Sequence, residues 1–205
     1  MKKLILSIVT LAAISFSSNA QTEKGKFIVG GTASYQSTKS DADNADADES
    51  LSLVPNLGYF VSDNFAIGTG LGYNYSKTAV ASPTGKEEAL IVSPFGRYYM
   101  GLSDQFKFFG QVSVPMAFGT TKSTDTNGDV INKTGTSTSV GVAVSPGFAY
   151  FPTKKIGIEF ALTGVSYNSY TVKDANENEI KGAGREDFSF GTNFFTPKIG
   201  IQFHF

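Results

Sequence analysis

Few residues in this chain could do chemistry. Among its 205 residues there is one histidine, His204, and no cysteine. Thiolate nucleophiles, disulfides and thiolate metal sites are therefore excluded. A Ser-His hydrolase needs its hydroxyl, imidazole and oxyanion donors in one place, and the only imidazole stands next to the last residue. Two acidic stretches offer oxygen ligands of the kind Ca²⁺ takes. The first, Asp41 to Glu49, lacks the alternating ligands and central Gly of a calcium loop. The second, Asp125-Thr126-Asn127-Gly128-Asp129, lacks the downstream Glu, and Asn-Gly is the commonest hairpin-turn signal. Both read as solvated loops, the second as a hairpin tip. No metal or cofactor is expected. What remains is a scattered polar set, Arg97, Gln111, Glu159 and Lys198, each set in an otherwise apolar or small-residue stretch, with Lys107 nearby. Their meaning depends on the elements that carry them.

Those elements alternate with a period of two. From Phe195 to the end, the odd positions are Phe195, Pro197, Ile199, Ile201, Phe203 and Phe205. Thr196, Lys198, Gly200, Gln202 and His204 lie between them. Four windows share a Pro followed by alternating residues and aromatics: Val54 to Phe60, Ser93 to Tyr99, Ser145 to Phe151 and Thr196 to Phe203. Short polar turns follow the first three, at Ser62-Asp63-Asn64, Ser103-Asp104-Gln105 and Thr153-Lys154-Lys155. New strands begin near Phe65, Phe106 and Ile156, and a first strand covers about Lys26 to Ser37. The total is eight. Four longer polar connections, roughly Thr38 to Ser50, Thr78 to Glu88, Thr121 to Gly135 and Thr171 to Asp187, alternate with the short turns. The Thr/Ser-rich run Thr134 to Ser139 also fits, weakly, an edge for strand addition.

An even strand count, short turns alternating with long loops, and a terminal aromatic strand together resemble the small eight-stranded outer-membrane barrel family (OmpX/OmpW-like, "outer membrane protein beta-barrel domain"). The resemblance spans the chain after its first 20 residues. It implies an all-β fold, an eight-stranded antiparallel up-and-down transmembrane β-barrel, with short turns on the periplasmic side and long loops outside. It also implies that the terminal aromatics Phe203 and Phe205 are an assembly signal read by the barrel-assembly machinery. The barrel would sit in a Gram-negative cell envelope among outer-membrane lipid and lipopolysaccharide.

The N-terminus agrees with export. Met1-Lys2-Lys3 is basic, Leu4 to Phe16 is mostly apolar but too short to span a bilayer as a helix, and Ser18-Asn19-Ala20 supplies small residues before a cut. Residues 1–20 are read as a cleaved signal peptide and 21–205 as the barrel domain. Without Lys2 and Lys3, 15 basic residues face 18 acidic ones, a balance that argues against a nucleic-acid partner. With 40% hydrophobic residues and no Trp, Tyr and Phe must supply the interfacial girdles.

Parity then assigns the faces. A Lys or Arg facing lipid at mid-depth costs about 2–4 kcal/mol, so the polar and small faces turn inward. These hold Arg97 and Tyr99, Gln111 and Phe109, Glu159 with Thr163, and Lys198. Outward go Leu90 and Val92, Val140 to Tyr150 on even numbers, and Ile156, Ile158, Phe160 and Leu162. The prolines share the lipid-facing parity, and because each lacks an N–H, local bulges are expected there. His204 is expected inward at the periplasmic rim. The polar set is then either a network that stiffens a narrow lumen or a thin solute pathway; an eight-stranded barrel barely holds its own side chains. The primary reading is a non-enzymatic barrel with a structural or surface-interaction role through its loops. The alternatives are a narrow, porin-like channel for small or hydrophobic solutes and a soluble lipocalin-like carrier, which would need an apolar interior.

Overall fold

The computed structural model describes residues 22–39, 47–78, 84–124, 130–191 and 198–205. The expected signal peptide, most of the acidic first loop, the 125–129 tip and Pro197 lie outside the described residues.

Alternating side chains make strands throughout: β1 Phe27–Lys39, β2 Ala47–Ser62, β3 Phe65–Thr78, β4 Thr84–Gly101, β5 Phe106–Ser113, β6 Met116–Thr124, β7 Val130–Tyr150, β8 Ile156–Ala161, β9 Val165–Asp174, β10 Arg185–Phe190 and β11 Lys198–His204. Three of the eight staves are each made of two segments: β5 with β6, β8 with β9, and β10 with β11. Every stave pairs antiparallel with its neighbours. Pairing of β1 with β11, Ile28 opposite His204 through Gly31 opposite Ile201, closes the barrel. The last residue takes part. Phe205 and Phe27 exchange backbone N–H···O bonds, both 3.0 Å.

Several strands run further than the sequence pattern suggests. β2 begins at Ala47 and β4 at Thr84, inside stretches read as loop, and β6 and β7 extend to Thr124 and from Val130. The cross-strand ladder, which does not depend on apolar content, carries these hairpins beyond the oily part of the wall.

The outer face is a belt of exposed apolar side chains, including Leu53, Leu57, Leu71, Leu90, Val142 and Ile201. Aromatics crowd the short-turn end of the belt. Phe27 meets Tyr59 at 5.0 Å, Phe106 meets Tyr150 at 4.7 Å and Phe108 meets Phe148 at 5.4 Å between ring centroids. An oily exterior around a partly polar interior reverses a lipocalin and matches a wall facing acyl chains.

The prolines behave in two ways. At Pro55 and Pro94 the described ladder skips the proline but resumes in the same register: Leu53 faces Tyr73 and Asn56 faces Gly70, while Val92 faces Met116 and Phe95 faces Ser113. There the missing N–H is absorbed locally, and the Pro94 carbonyl still accepts from Val114 N–H at 3.0 Å. At Pro146 the register slips. Val144 faces Val165 and Gly147 faces Ala161, so one extra residue is inserted between β8 and β9. This bulge corrects the parity of the seventh stave. Leu162, expected outward, is only 9% exposed, and Thr163, expected inward, is exposed. Leu162 N–H reaches the Pro146 carbonyl at 2.8 Å. Gly164 is required here, because a Cβ on it would strike the Val144 carbonyl and lie 2.9 Å from the Pro146 ring.

At the far end, Asp174 caps the hairpin after β9. Its Oδ1 accepts the N–H of Asn176 at 2.8 Å and of Asn178 at 2.9 Å. These bonds, that from Asn178 foremost, hold its carboxyl below the ordinary range. A depressed folded pKa means the contribution is present at neutral pH and lost only as pH falls through the lowered value. Amide exchange at Asn176 and Asn178 is therefore expected to stay slow where ordinary aspartates protonate, and to quicken throughout in Asp174→Ala.

Candidate functional site

The lumen is organised in layers from the short-turn end. At the floor, inward parity brings together Ile28, Phe60, Tyr99, Phe109, Phe151 and His204, none more than 3% exposed. The His204 ring packs against Phe151 at 5.1 Å and Phe60 at 5.9 Å, and Tyr99 stands 5.7 Å from Phe109. Beneath them, the segment before β1 crosses the opening. Thr22, 5% exposed, donates its hydroxyl to Asn64 Oδ1 at 2.7 Å and accepts from Lys107 Nζ at 2.9 Å. Asn64 holds a left-handed turn (φ 65°), which asparagine tolerates better than most residues.

Above the floor lies a charged layer. Arg97 Nη1 donates to Glu159 Oε1 at 2.6 Å and to the Tyr99 hydroxyl at 2.9 Å. Its Nε and Nη2 both donate to Gln111 Oε1, at 2.8 and 2.6 Å. The Tyr99 hydroxyl donates to Glu159 Oε1 at 2.9 Å, and Gln202 Nε2 donates to Glu159 Oε2 at 3.0 Å. The guanidinium also sits 4.5 Å from the Phe109 ring centroid. Arg97 is 6% exposed and Glu159 4%. Two opposite charges with this many partners satisfy the condition for burying ions in a barrel interior.

Above that layer is a cavity of about 350 Å³, walled by small residues such as Gly31, Gly70, Ser93, Ser113 and Ala143. Two amide oxygens in its wall, Asn56 Oδ1 and Gln202 Oε1, are buried with no hydrogen-bond donor among the described residues. Higher still, Ser137 donates to Glu87 Oε1 at 2.6 Å and Ser139 to Asn168 Oδ1 at 2.8 Å.

Of the residues singled out from sequence, Arg97, Gln111 and Glu159 meet in one network. Lys198 belongs to β11, where its backbone lies opposite Ala161; its side chain lies outside the described residues. Phe203 is outward and 39% exposed, and Phe205 ends the closing ladder. Sequence reading missed two members, Tyr99 and Gln202. Parity had turned both inward, but a tyrosine in a barrel strand looks like girdle and a lone glutamine looks like rim.

These layers define a closed, membrane-spanning β-barrel whose lumen is occupied at one end. The family model for the outer membrane protein beta-barrel domain matches residues 6–203, and the chain belongs to that family. No curated protein matches it in sequence. Among solved structures it is similar to the outer membrane protein OprG from Pseudomonas aeruginosa, with 16% identity over 91% of this chain and 99% of that one and a TM-score of 0.47. Neisserial surface protein A is similar at 13% identity, over 88% of this chain and 97% of that one, with a TM-score of 0.45. The Escherichia coli outer membrane protein W follows at 14% identity, over 89% and 97%, with a TM-score of 0.42.

Proposed function

We propose that this protein is a non-enzymatic outer-membrane barrel that acts through what it displays outside the cell, and that its lumen is a strut. The supporting observation is the floor: six inward side chains, none more than 3% exposed, fill the short-turn end beneath the Arg97–Glu159 layer. A solute entering from outside meets ion pair first and packed rings next. The lone imidazole lies in that packing, remote from the outer loops where a lipid-modifying site would need it. On this reading residues 1–20 are removed on export, Phe203 and Phe205 present the assembly signal to the barrel-assembly machinery, and the belt faces outer-membrane lipid and lipopolysaccharide.

The test is conductance. Purified mature protein in planar bilayers is expected to give no discrete single-channel steps. Reproducible steps that disappear on boiling would overturn the strut. The small-residue cavity, with its two acceptor oxygens, favours a second reading, a blind pocket that admits a small polar solute from outside. It would show as saturable shifts of the Asn56 and Gln202 side-chain amide NMR signals without conductance.

A further inference from the structure

Strand register sets two amides on either side of a gap in the lumen wall. Gly30 lies opposite Asn56 on β2 and opposite Gln202 on β11. Adjacent strands are about 4.8 Å apart, so the two amides start about 10 Å apart with no side chain between them. Gln202 leans across the gap: a Cβ on Gly30 would lie 2.8 Å from its Oε1. Its polarity is fixed from below. Nε2 donates to Glu159 Oε2 at 3.0 Å, and a flipped amide would set oxygen against carboxylate. Gln202 is 3% exposed, and its Oε1 therefore turns to the cavity as a buried acceptor without a donor among the described residues. Asn56 Oδ1 is a second such acceptor.

The rest of the wall narrows what would satisfy this pair. The space is about 350 Å³, against roughly 10–15 Å³ for one water. Val54, Ile91, Phe95 and Ala143 give it an apolar side. Glu87 stands above it on the inward face of β4, four residues toward the long loops from Ile91. A Cβ on Gly119 would lie 2.8 Å from Glu87 Oε1, so the carboxylate reaches across the lumen toward β6. It accepts from Ser137 at 2.6 Å, and no ammonium or guanidinium among the described residues pairs with it. At the base, Arg97 and Glu159 neutralise each other. Lys198 holds an inward register position opposite Ala161.

We infer that this cavity binds a small primary amine in its ammonium form, with Gln202 Oε1 and Asn56 Oδ1 accepting its N–H groups and a short alkyl body lying against Val54 and Ile91. An ammonium carries three donors and no acceptor, the complement of two donorless oxygens. Its bonds are charge-assisted, roughly twice as strong as neutral ones, and Glu87 offsets part of the cost of taking the charge out of water. The inference deepens the blind-pocket reading and rests on it.

n-Butylammonium, titrated into full mature barrel in neutral maltoside detergent, tests it. The Gln202 side-chain amide NMR signal is expected to shift saturably. n-Butyltrimethylammonium has the charge but no N–H, and 1-butanol has the chain but no charge; each is expected to bind at least about tenfold more weakly. Asn56→Leu is expected to weaken butylammonium binding by at least about tenfold, and Glu87→Gln by at least about threefold. Glu186→Gln, the same charge change on the outward face, is expected to stay within about twofold. No saturable shift would mean that water alone serves the two oxygens, and overturns the site. Equal binding of the trimethyl compound or of butanol overturns it too, as do unchanged binding in Asn56→Leu or equal losses in Glu87→Gln and Glu186→Gln. Should Asn56→Leu lose its heat-modifiable gel mobility, Asn56→Ala takes its place under the same criterion. Conductance of the same preparation separates the readings. Channel steps beside saturable binding would sink the strut and leave the site standing; neither steps nor binding would sink the site alone.

Discussion

Glu159→Ala is expected to destabilise the barrel by about 3–5 kcal/mol, because it strands the Arg97 guanidinium in the lumen without a counter-charge. The carboxylate holds three groups: Arg97 and the Tyr99 hydroxyl on Oε1, and the Gln202 amide on Oε2. Gln111 still accepts two bonds from Arg97, but an amide oxygen brings no charge. The double variant Arg97→Met/Glu159→Leu is expected to recover most of the loss, since replacing a buried pair by apolar residues of similar volume is often neutral or better. Urea titration in lipid vesicles, read by far-UV circular dichroism and gel mobility because the chain has no Trp, checks both. A single variant within about 1 kcal/mol of wild type would mean that water already screens the pair and that the layer does not brace the lumen.

That experiment bears on function as well as stability. A solute pathway would keep its charges wet and separately useful. Here the two charges are tied to each other and to a ring floor that parity had distributed over many staves: Phe60 on β2, Tyr99 on β4, Phe109 on β5, and His204 on β11. No local stretch of sequence contains this assembly; barrel closure creates it.

This explains what could be read in advance. Alternation, turn chemistry and strand count are local, and they carried the fold and the inward turn of Arg97, Gln111 and Glu159. Contacts across the lumen are not local, so Tyr99 and Gln202 went unremarked although their parity was known. The Pro146 bulge is intermediate. A proline facing lipid signals trouble in the ladder, but whether the ladder skips a bond, as at Pro94, or inserts a residue, as opposite Pro146, depends on the neighbouring stave. Leu162-Thr163-Gly164 supplies the small residue that a bulge against the Val144 carbonyl needs. Parity counted straight through that stretch therefore put Leu162 and Thr163 on the wrong faces.

The second large effect is expected at Gly147, where β7 passes behind the floor. A Cβ there would strike the tip of the Phe109 ring and stand 2.7 Å from the Phe160 carbonyl oxygen. The two obstacles differ in kind. The ring belongs to a side chain and could in principle turn aside, but Phe109 is 1% exposed, packed against Tyr99 and lying under the Arg97 guanidinium. The carbonyl belongs to β8, in the ladder that joins Phe148 to Phe160, and cannot move without opening the wall. Gly147→Val is therefore expected to cost at least about 1–3 kcal/mol, the range for forcing extra volume into a packed interior, and to lower the folded fraction in heat-modifiable mobility assays. Phe109→Ala on its own leaves a cavity and is expected to cost about 3–5 kcal/mol. Joined with Gly147→Val it removes the first obstacle but leaves the second, so the pair should be less damaging than the two single losses together. A coupling of about 0.5–3 kcal/mol in a double-mutant cycle is the expected signature. Additive losses would mean that ring and glycine do not share space, and that the floor is looser than its burial indicates.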